Sequence, residues 1–235
     1  MHDREKRRLQ AVYELFDNQI QTVATVHGLD FFCKERCSSC CTCNVTLTRL
    51  ETLYLIQLIP EDREKNLLET IRQASDKKRY LPGMTFNRYA RLCSEGGPVP
   101  DEENNPSWGP CMLLEDDLCR FYANRPFGCR VLVATLDCRT NGYARVDPYV
   151  LTLNHLFLQY IEHMDPDGFS GNLTDMLGLL LPDKKGAVDF NGADLSADGR
   201  FVKNEPIRML MVPPEHRKRV RPVLEQLNAI LSGSV

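Results

Sequence analysis

Ten cysteines stand in this 235-residue chain, and eight of them form two groups: Cys33, Cys37, Cys40 and Cys41, then Cys111, Cys119, Cys129 and Cys138. Thiolate sulfur binds zinc and iron well, and a metal site needs several sulfurs within about 2.3 Å of one ion. The first group occupies one short loop, so its ligands assemble at low ordering cost. Steps of two or three intervening residues let a turn aim these sulfurs inward. The small Ser38 and Ser39 suit a crowded turn whose backbone N–H groups can reach sulfur. The second group is spread more widely and must converge through folding. Gly109-Pro110 ahead of Cys111, and Arg125-Pro126 ahead of Cys129, are turn chemistry able to aim it.

The vicinal pair constrains any such site. Neighbouring residues tend to point their side chains apart, so both Cys40 and Cys41 on one ion would need a strained chelate. Either the two serve different metals, or one sulfur bridges, or one is not a ligand. Eight ligands then suit two four-ligand metals or a multinuclear centre better than one mononuclear site. Zinc and iron–sulfur centres both accept four thiolates. The vicinal pair and the count of eight favour the iron–sulfur centre over Zn2+. Arg120, Arg125 and Arg130 lie close in sequence and either offset thiolate charge or sit on the surface.

Cys43 is the candidate for a cysteine outside the metal set, and Cys93 reads as a small buried residue. His27, six residues before Cys33, is a weak ligand candidate. His155 and His163, eight residues apart, lie near one face of the helix expected over 148–164, where ordinary helix residues are the plainer reading. The basic run His216–Arg221 reads as a solvated helix face, because aromatic residues are not interleaved with its charges. Asp194 and Asp198 lack the spacing and closing Glu of a calcium loop. Trp108 reads as packing and Glu115-Asp116-Asp117 as a solvated turn.

A net charge of −3 gives no basic field to recruit nucleic acid or an anionic membrane. The start, MHDREKRRLQ, has no apolar signal core, and the longest apolar runs fall short of the roughly 20 residues that span a bilayer. The expected location is therefore the cytoplasm. There, dense cysteine points to metal thiolates or redox chemistry before disulfides.

The elements that must position the cysteines are mainly α, with room for a little β near the ligands. A stripe of Leu9, Val12, Tyr13, Phe16, Ile20 and Val23 predicts a helix over residues 4–27, stopped by Gly28. Thr48 and Glu51 fit a capping box that opens a helix to about Leu58. Another helix starts near Pro60 and carries Leu67, Leu68 and Ile71 on one side. Residues 94–110 read as a long loop. Helices are expected over 148–164 and 172–181, a turn at Asp198-Gly199, and a strand over 207–212. A last helix is broken or kinked at Pro222. The expected division is an N-terminal helix (1–30), a cysteine-cluster metal-binding domain (31–145) and a helical C-terminal extension packed on the same core (146–235).

The order C-x3-C-x2-CC, followed by Gly109-Pro110-Cys111, Cys119-Arg120-Phe121-Tyr122, Arg125-Pro126 and Cys129-Arg130, resembles the YkgJ-type cysteine-cluster family. The resemblance covers roughly residues 30–140. Cys138 matches a final cysteine of some members, and Thr48 with Glu51 matches their T-x-x-E helix start. Ser38-Ser39 replaces the usual Gly-containing step, Cys43 is extra, and no Phe-Pro follows Cys129. The resemblance implies a zinc- or iron-chelating domain with no agreed reaction. A related domain in flagellin lysine methylases implicates an iron–sulfur cluster.

Two classes of function follow. In the first, the metal is structural or sensory and the protein binds an unidentified protein partner or small molecule. In the second, an iron–sulfur enzyme does redox or S-adenosylmethionine-dependent, methyl-transfer-like chemistry. Cys33-x3-Cys37-x2-Cys40 also fits a radical-SAM cluster spacing, but the repeated βα units of that fold are not read here. A colourless zinc protein would favour the first class. A brown, oxygen-sensitive protein that binds S-adenosylmethionine would favour the second.

Overall fold

The computed structural model describes residues 1–182 and 199–233. The chain is mainly helical with small sheets. Helix α1 (Asp3–His27) buries the whole apolar stripe read from the sequence, and Gly28 ends it at φ 60°, its N–H bonding the carbonyl of Ala24. An L side chain is strained at that φ and glycine is not. Strand β1 (Thr46–Thr48) runs directly into α2 (Arg49–Gln57) through the expected capping box of Thr48 and Glu51. Helix α3 (Glu61–Ser75) follows Pro60 and buries Leu67 and Ile71; Leu68 is only partly covered.

Helix α4 (Phe86–Glu95) was not expected. Its signals are local: Thr85 accepts from the N–H of Arg88 at 3.4 Å, and Gly96 closes the helix in the left-handed conformation. Phe86, Tyr89, Ala90 and Cys93 also recur at helical spacing along it, a period confined to ten residues. The hairpin of β2 (Leu114–Glu115) and β3 (Leu118–Cys119) turns on Asp116 and Asp117, both at positive φ. A two-residue turn of that hand matches strand twist, and Asp tolerates it. The acidic turn read from the sequence is therefore what closes the hairpin.

The short helices α5 (Phe127–Arg130) and α6 (Cys138–Asn141) carry the last two cysteines of the second group. Helix α7 (Pro148–His163) is capped by Asp147, whose carboxylate accepts from the N–H groups of Tyr149 and Val150. Strand β4 (Phe169–Asn172) leads into α8 (Leu173–Leu180). Strand β5 (Phe201–Lys203) completes an antiparallel sheet in the order β1-β4-β5.

The strand expected over 207–212 is not formed. Gln159 of α7 supplies the partners a neighbouring strand would otherwise give. Its amide nitrogen donates to the carbonyl of Met209 at 2.6 Å, and its oxygen accepts from the N–H of Met211 at 2.9 Å. Helix α9 (Arg217–Ser232) continues through Pro222 without breaking. The calls on Asp194 and Asp198 lie outside the described residues.

Two apolar clusters hold these elements. In one, α1, α7 and α9 close around Phe16, Phe127 and Phe157. Phe16 meets Phe127 edge-on at 4.7 Å between centroids and Phe157 at 5.2 Å. Burying each ring contributes on the order of 2–3 kcal/mol. In the other, α2, α3 and α8 pack with the three-stranded sheet around Leu55, Met176 and Leu177. Glu51 ties α1, α2 and α5 together. Its buried carboxylate accepts from the Tyr13 hydroxyl at 2.8 Å and the Phe127 N–H at 2.7 Å. The start of α5, two residues before Cys129, is thereby fixed.

Candidate metal centre

The two cysteine groups are joined by backbone pairing before any side chain is considered. The N–H of Cys43 donates to the carbonyl of Gly109 and the N–H of Cys111 to that of Cys41, each at 2.9 Å. The cysteine loop thus lies antiparallel to the Gly109–Cys111 segment, with Thr42 opposite Pro110. On the other side, the N–H of Phe32 bonds the carbonyl of Ala134 at 3.0 Å. Ser38 hydrogen-bonds Asp117 of the hairpin turn.

Cys33, Cys37, Cys40, Cys41, Cys111, Cys119 and Cys129 line one cavity of about 70 Å³, together with Tyr122, the charged Lys34, Arg36, Asp117 and Arg125, and apolar side chains. Cys138, at the start of α6, lies at its edge: its charge acts on Cys33 although it does not line the cavity. All ten cysteines are free thiols. Among the described residues, no three Cys, His, Asp or Glu side chains have converged into a closed ligand set.

The charges these thiols feel fall into two sets. Burial pushes the Cys33 thiol up, the N–H of Ala134 on its sulfur at 3.2 Å pulls it back, and thiolates at Cys40, Cys37 and Cys138 raise it further. Cys138 is raised by burial and then by Cys40 and Cys37. Cys41 behaves differently. It is lowered because the Cys40 thiol donates to it, while Cys129, Cys111 and Cys119 act to raise it. Burial pushes Cys111 up to about 11. It raises Cys129 far above the usual thiol range, with Cys111 and Cys119 adding to it.

Cys40 and Cys41 therefore touch each other but face different neighbours. Charge at Cys40 bears on Cys33 and Cys138, whereas charges at Cys129, Cys111 and Cys119 bear on Cys41. Cys40 also acts on Cys129, which places the vicinal pair at the junction of the sets.

Backbone N–H groups are already aimed at sulfur. The N–H of Leu113 lowers Cys111 and that of Phe121 lowers Cys119, each from two residues further along. Such bonds stabilise thiolate over thiol. The three arginines have separate positions. Arg125 lines the cavity, lies over the Tyr122 ring at 4.4 Å and lowers Cys40, Cys119 and Cys129. Arg130 is buried with its back to the cavity, held by Asp17 at 2.6 Å and by the carbonyls of Ala123 and Arg125. Arg120 pairs with Glu115 on the hairpin.

Among the described residues, no histidine lines the cavity. His155 packs against Phe86 at 5.1 Å, and burial lowers its pKa. The Nδ1 of His163 accepts from the N–H of Ile207, and His27 is exposed at the end of α1. Cys43 turns its thiol toward Asn44 and the carbonyl of Lys78, although its charge reaches Cys111. Cys93 is exposed on α4 beside Tyr89, not buried as its residue type suggested.

The apolar wall of Val45, Leu114 and Leu132 was not singled out from the sequence, and Tyr122 entered only within the motif Cys119-Arg120-Phe121-Tyr122. Only the position of Tyr122 between Cys119 and Arg125-Pro126 hinted at its place.

A helical scaffold that arranges cysteine loops around one cavity defines a cysteine-cluster domain. The chain belongs to the CxxCxxCC family, described as "Putative zinc- or iron-chelating domain", whose model matches residues 32–149, half of the sequence. No curated protein and no solved structure matches it. The lining suits either metal: thiolate sulfur, N–H groups on sulfur and the cations Lys34, Arg36 and Arg125, with the Asp117 carboxylate of the lining engaged by the Ser38 hydroxyl. Among the described residues, no helix is long and apolar enough to cross a membrane.

Proposed function

We propose that the chain holds a multinuclear metal centre on Cys33, Cys37, Cys40, Cys41, Cys111, Cys119, Cys129 and Cys138, in a structural or sensory role toward a binding partner. The observation that carries this reading is that Cys33, Cys37, Cys40, Cys41, Cys111, Cys119 and Cys129 line one cavity, with Cys138 at its edge. The charges that the thiols exert on one another support a division into Cys33, Cys37, Cys40 and Cys138 on one side and Cys41, Cys111, Cys119 and Cys129 on the other, with the vicinal pair at the junction. On that division each vicinal sulfur serves its own set, without the strained chelate.

An iron–sulfur centre is preferred to bare zinc because seven of the sulfurs line one continuous cavity. Inorganic sulfide between irons would occupy space that isolated ions leave open. When bound, such a centre supplies thiolate-ligated iron able to change charge. The chain's own contribution is to hold the sulfurs, donate N–H bonds to Cys33, Cys111 and Cys119, and set Arg125 against the negative charge.

The test is metal, sulfide and visible-absorption analysis of anaerobically purified protein, with alkylation of cysteines followed by mass spectrometry. Iron with acid-labile sulfide is expected, with the eight cysteines protected while Cys43 and Cys93 react. Zinc without colour would replace iron–sulfur but keep the ligand sets. Protein with neither metal, whose eight cysteines react as free thiols, would overturn the proposal.

A further inference from the structure

A second cavity, of about 370 Å³, lies on the other side of β1 and α5 from the cysteines. Gly128 lines it while the next residue, Cys129, lines the cysteine cavity, and Thr46 and Val45 are divided in the same way. Its volume is within the range of small-molecule sites. One wall is aromatic: Phe86 and Tyr89, with ring centroids 5.7 Å apart, stand with Tyr80 against Leu158 and Ile161.

The charged groups that line this cavity all carry one sign, beside the neutral hydroxyls of Thr46, Thr48, Thr85 and Ser170. Glu51, Glu102 and Glu162 line the cavity, and among the described residues no Lys, Arg or His does. Glu51 and Glu162 are each only 3% exposed. Neither has a cationic hydrogen-bond partner among the described residues. Glu51 accepts from Tyr13, Thr48 and the Phe127 N–H. Glu162 accepts from the N–H groups of Asn87 and Glu205, each at 2.7 Å, and burial raises its pKa. At the rim, Glu102 accepts from the Tyr80 hydroxyl and from the N–H of Gly83 at 2.8 Å.

Buried carboxylates held only by neutral donors leave a negative potential that a nearby cation would neutralise. Aromatic faces attract the same cation through their quadrupoles. An anion meets repulsion from both. We propose that this cavity binds a small organic cation, an amine or quaternary ammonium on an apolar body, with the cationic end toward Glu162 and Glu102 and the body against Phe86 and Tyr89.

The inference is independent of which metal the cysteines hold. Calorimetric titration of the full chain, metal as isolated, with 2-phenylethylamine, 2-phenylethanol and phenylacetate tests it. These probes share a body and differ in charge. The amine is expected to bind at least about tenfold more tightly than the alcohol, with no heat from phenylacetate. Tyr89→Leu, on a partly exposed side chain, and Glu102→Gln, at the rim, should each weaken the amine several-fold while circular dichroism stays native. Equal binding of all three probes, no saturable binding of the amine, or amine binding unmoved by both variants would overturn the proposal.

Discussion

Replacing Glu51 with alanine removes a carboxylate that four hydrogen bonds reach from three parts of the fold. The Tyr13 hydroxyl of α1 donates at 2.8 Å, the Thr48 N–H and hydroxyl at 2.9 and 3.0 Å, and the Phe127 N–H of α5 at 2.7 Å. Tyr13 and Phe127 are 4% and 0% exposed, so water reaches the freed donors only through the neighbouring cavity that Glu51 lines. Leaving a buried donor unpaired costs about 1–3 kcal/mol each. Loss of the capping-box arm costs on the order of 1 kcal/mol more. Against this, a buried carboxylate with no cationic hydrogen-bond partner is itself costly, and its removal returns part of the sum. The expected net loss for Glu51→Ala is about 3 kcal/mol. Tyr13→Phe, which deletes one donor together with its bond, should cost about 1 kcal/mol. Tyr13→Phe in the Glu51→Ala background should cost almost nothing, because the hydroxyl no longer has this partner. Equilibrium urea unfolding followed by far-ultraviolet circular dichroism measures all three. A Glu51→Ala loss under about 1 kcal/mol, or full additivity of the pair, would refute Glu51 as the tie between α1, α2 and α5.

Three further outcomes follow from the same contacts. Asp175 holds Arg79 through two bonds of 2.7 and 2.5 Å, with side chains 2% and 9% exposed, so Asp175→Ala should destabilise by about 3–5 kcal/mol in urea unfolding. A Cβ on Gly128 would stand 2.9 Å from the Thr46 carbonyl oxygen, a backbone atom, so Gly128→Ala should displace Cys129. The readout is faster alkylation of that cysteine than in the parent, and an unchanged rate would contradict the reading. In the metal-free protein, burial holds the Cys111 thiol neutral to about pH 11. Because that folded value lies above an unfolded thiol near 9, the stability it contributes is complete below about pH 9 and is lost as pH rises toward 11. A pH series of thermal melts should show that decline, and zinc added to metal-free protein at pH 7 should release protons to an indicator dye.

Much of the scaffold was written locally. The stripe of α1, its Gly28 stop, the Thr48–Glu51 box and the Pro148 start each depend on residues within a few positions of one another. Local signals failed where a long-range partner decided the outcome. The segment 207–212 has strand-like composition, yet Gln159, some fifty positions away, supplies the hydrogen bonds a strand would need. Arg130 shows the same limit. Its place beside Cys129 suggested a charge for thiolates, but Asp17 in α1 turns it away. Arg125, equally close in sequence, is the one that faces sulfur.

By itself, the sequence determined that eight cysteines form a loop group and a dispersed group, and that the vicinal pair resists sharing one ion. Only the tertiary structure decided which cysteine neighbours which. Cys138, nearly a hundred residues from Cys40, acts on the first group, and Cys41 faces the second. The reason is that sequence spacing fixes only what one turn can gather. The pairing of the Cys41–Cys43 strand with Gly109–Cys111, and the seating of α5 on Glu51, bring the remaining sulfurs round one cavity.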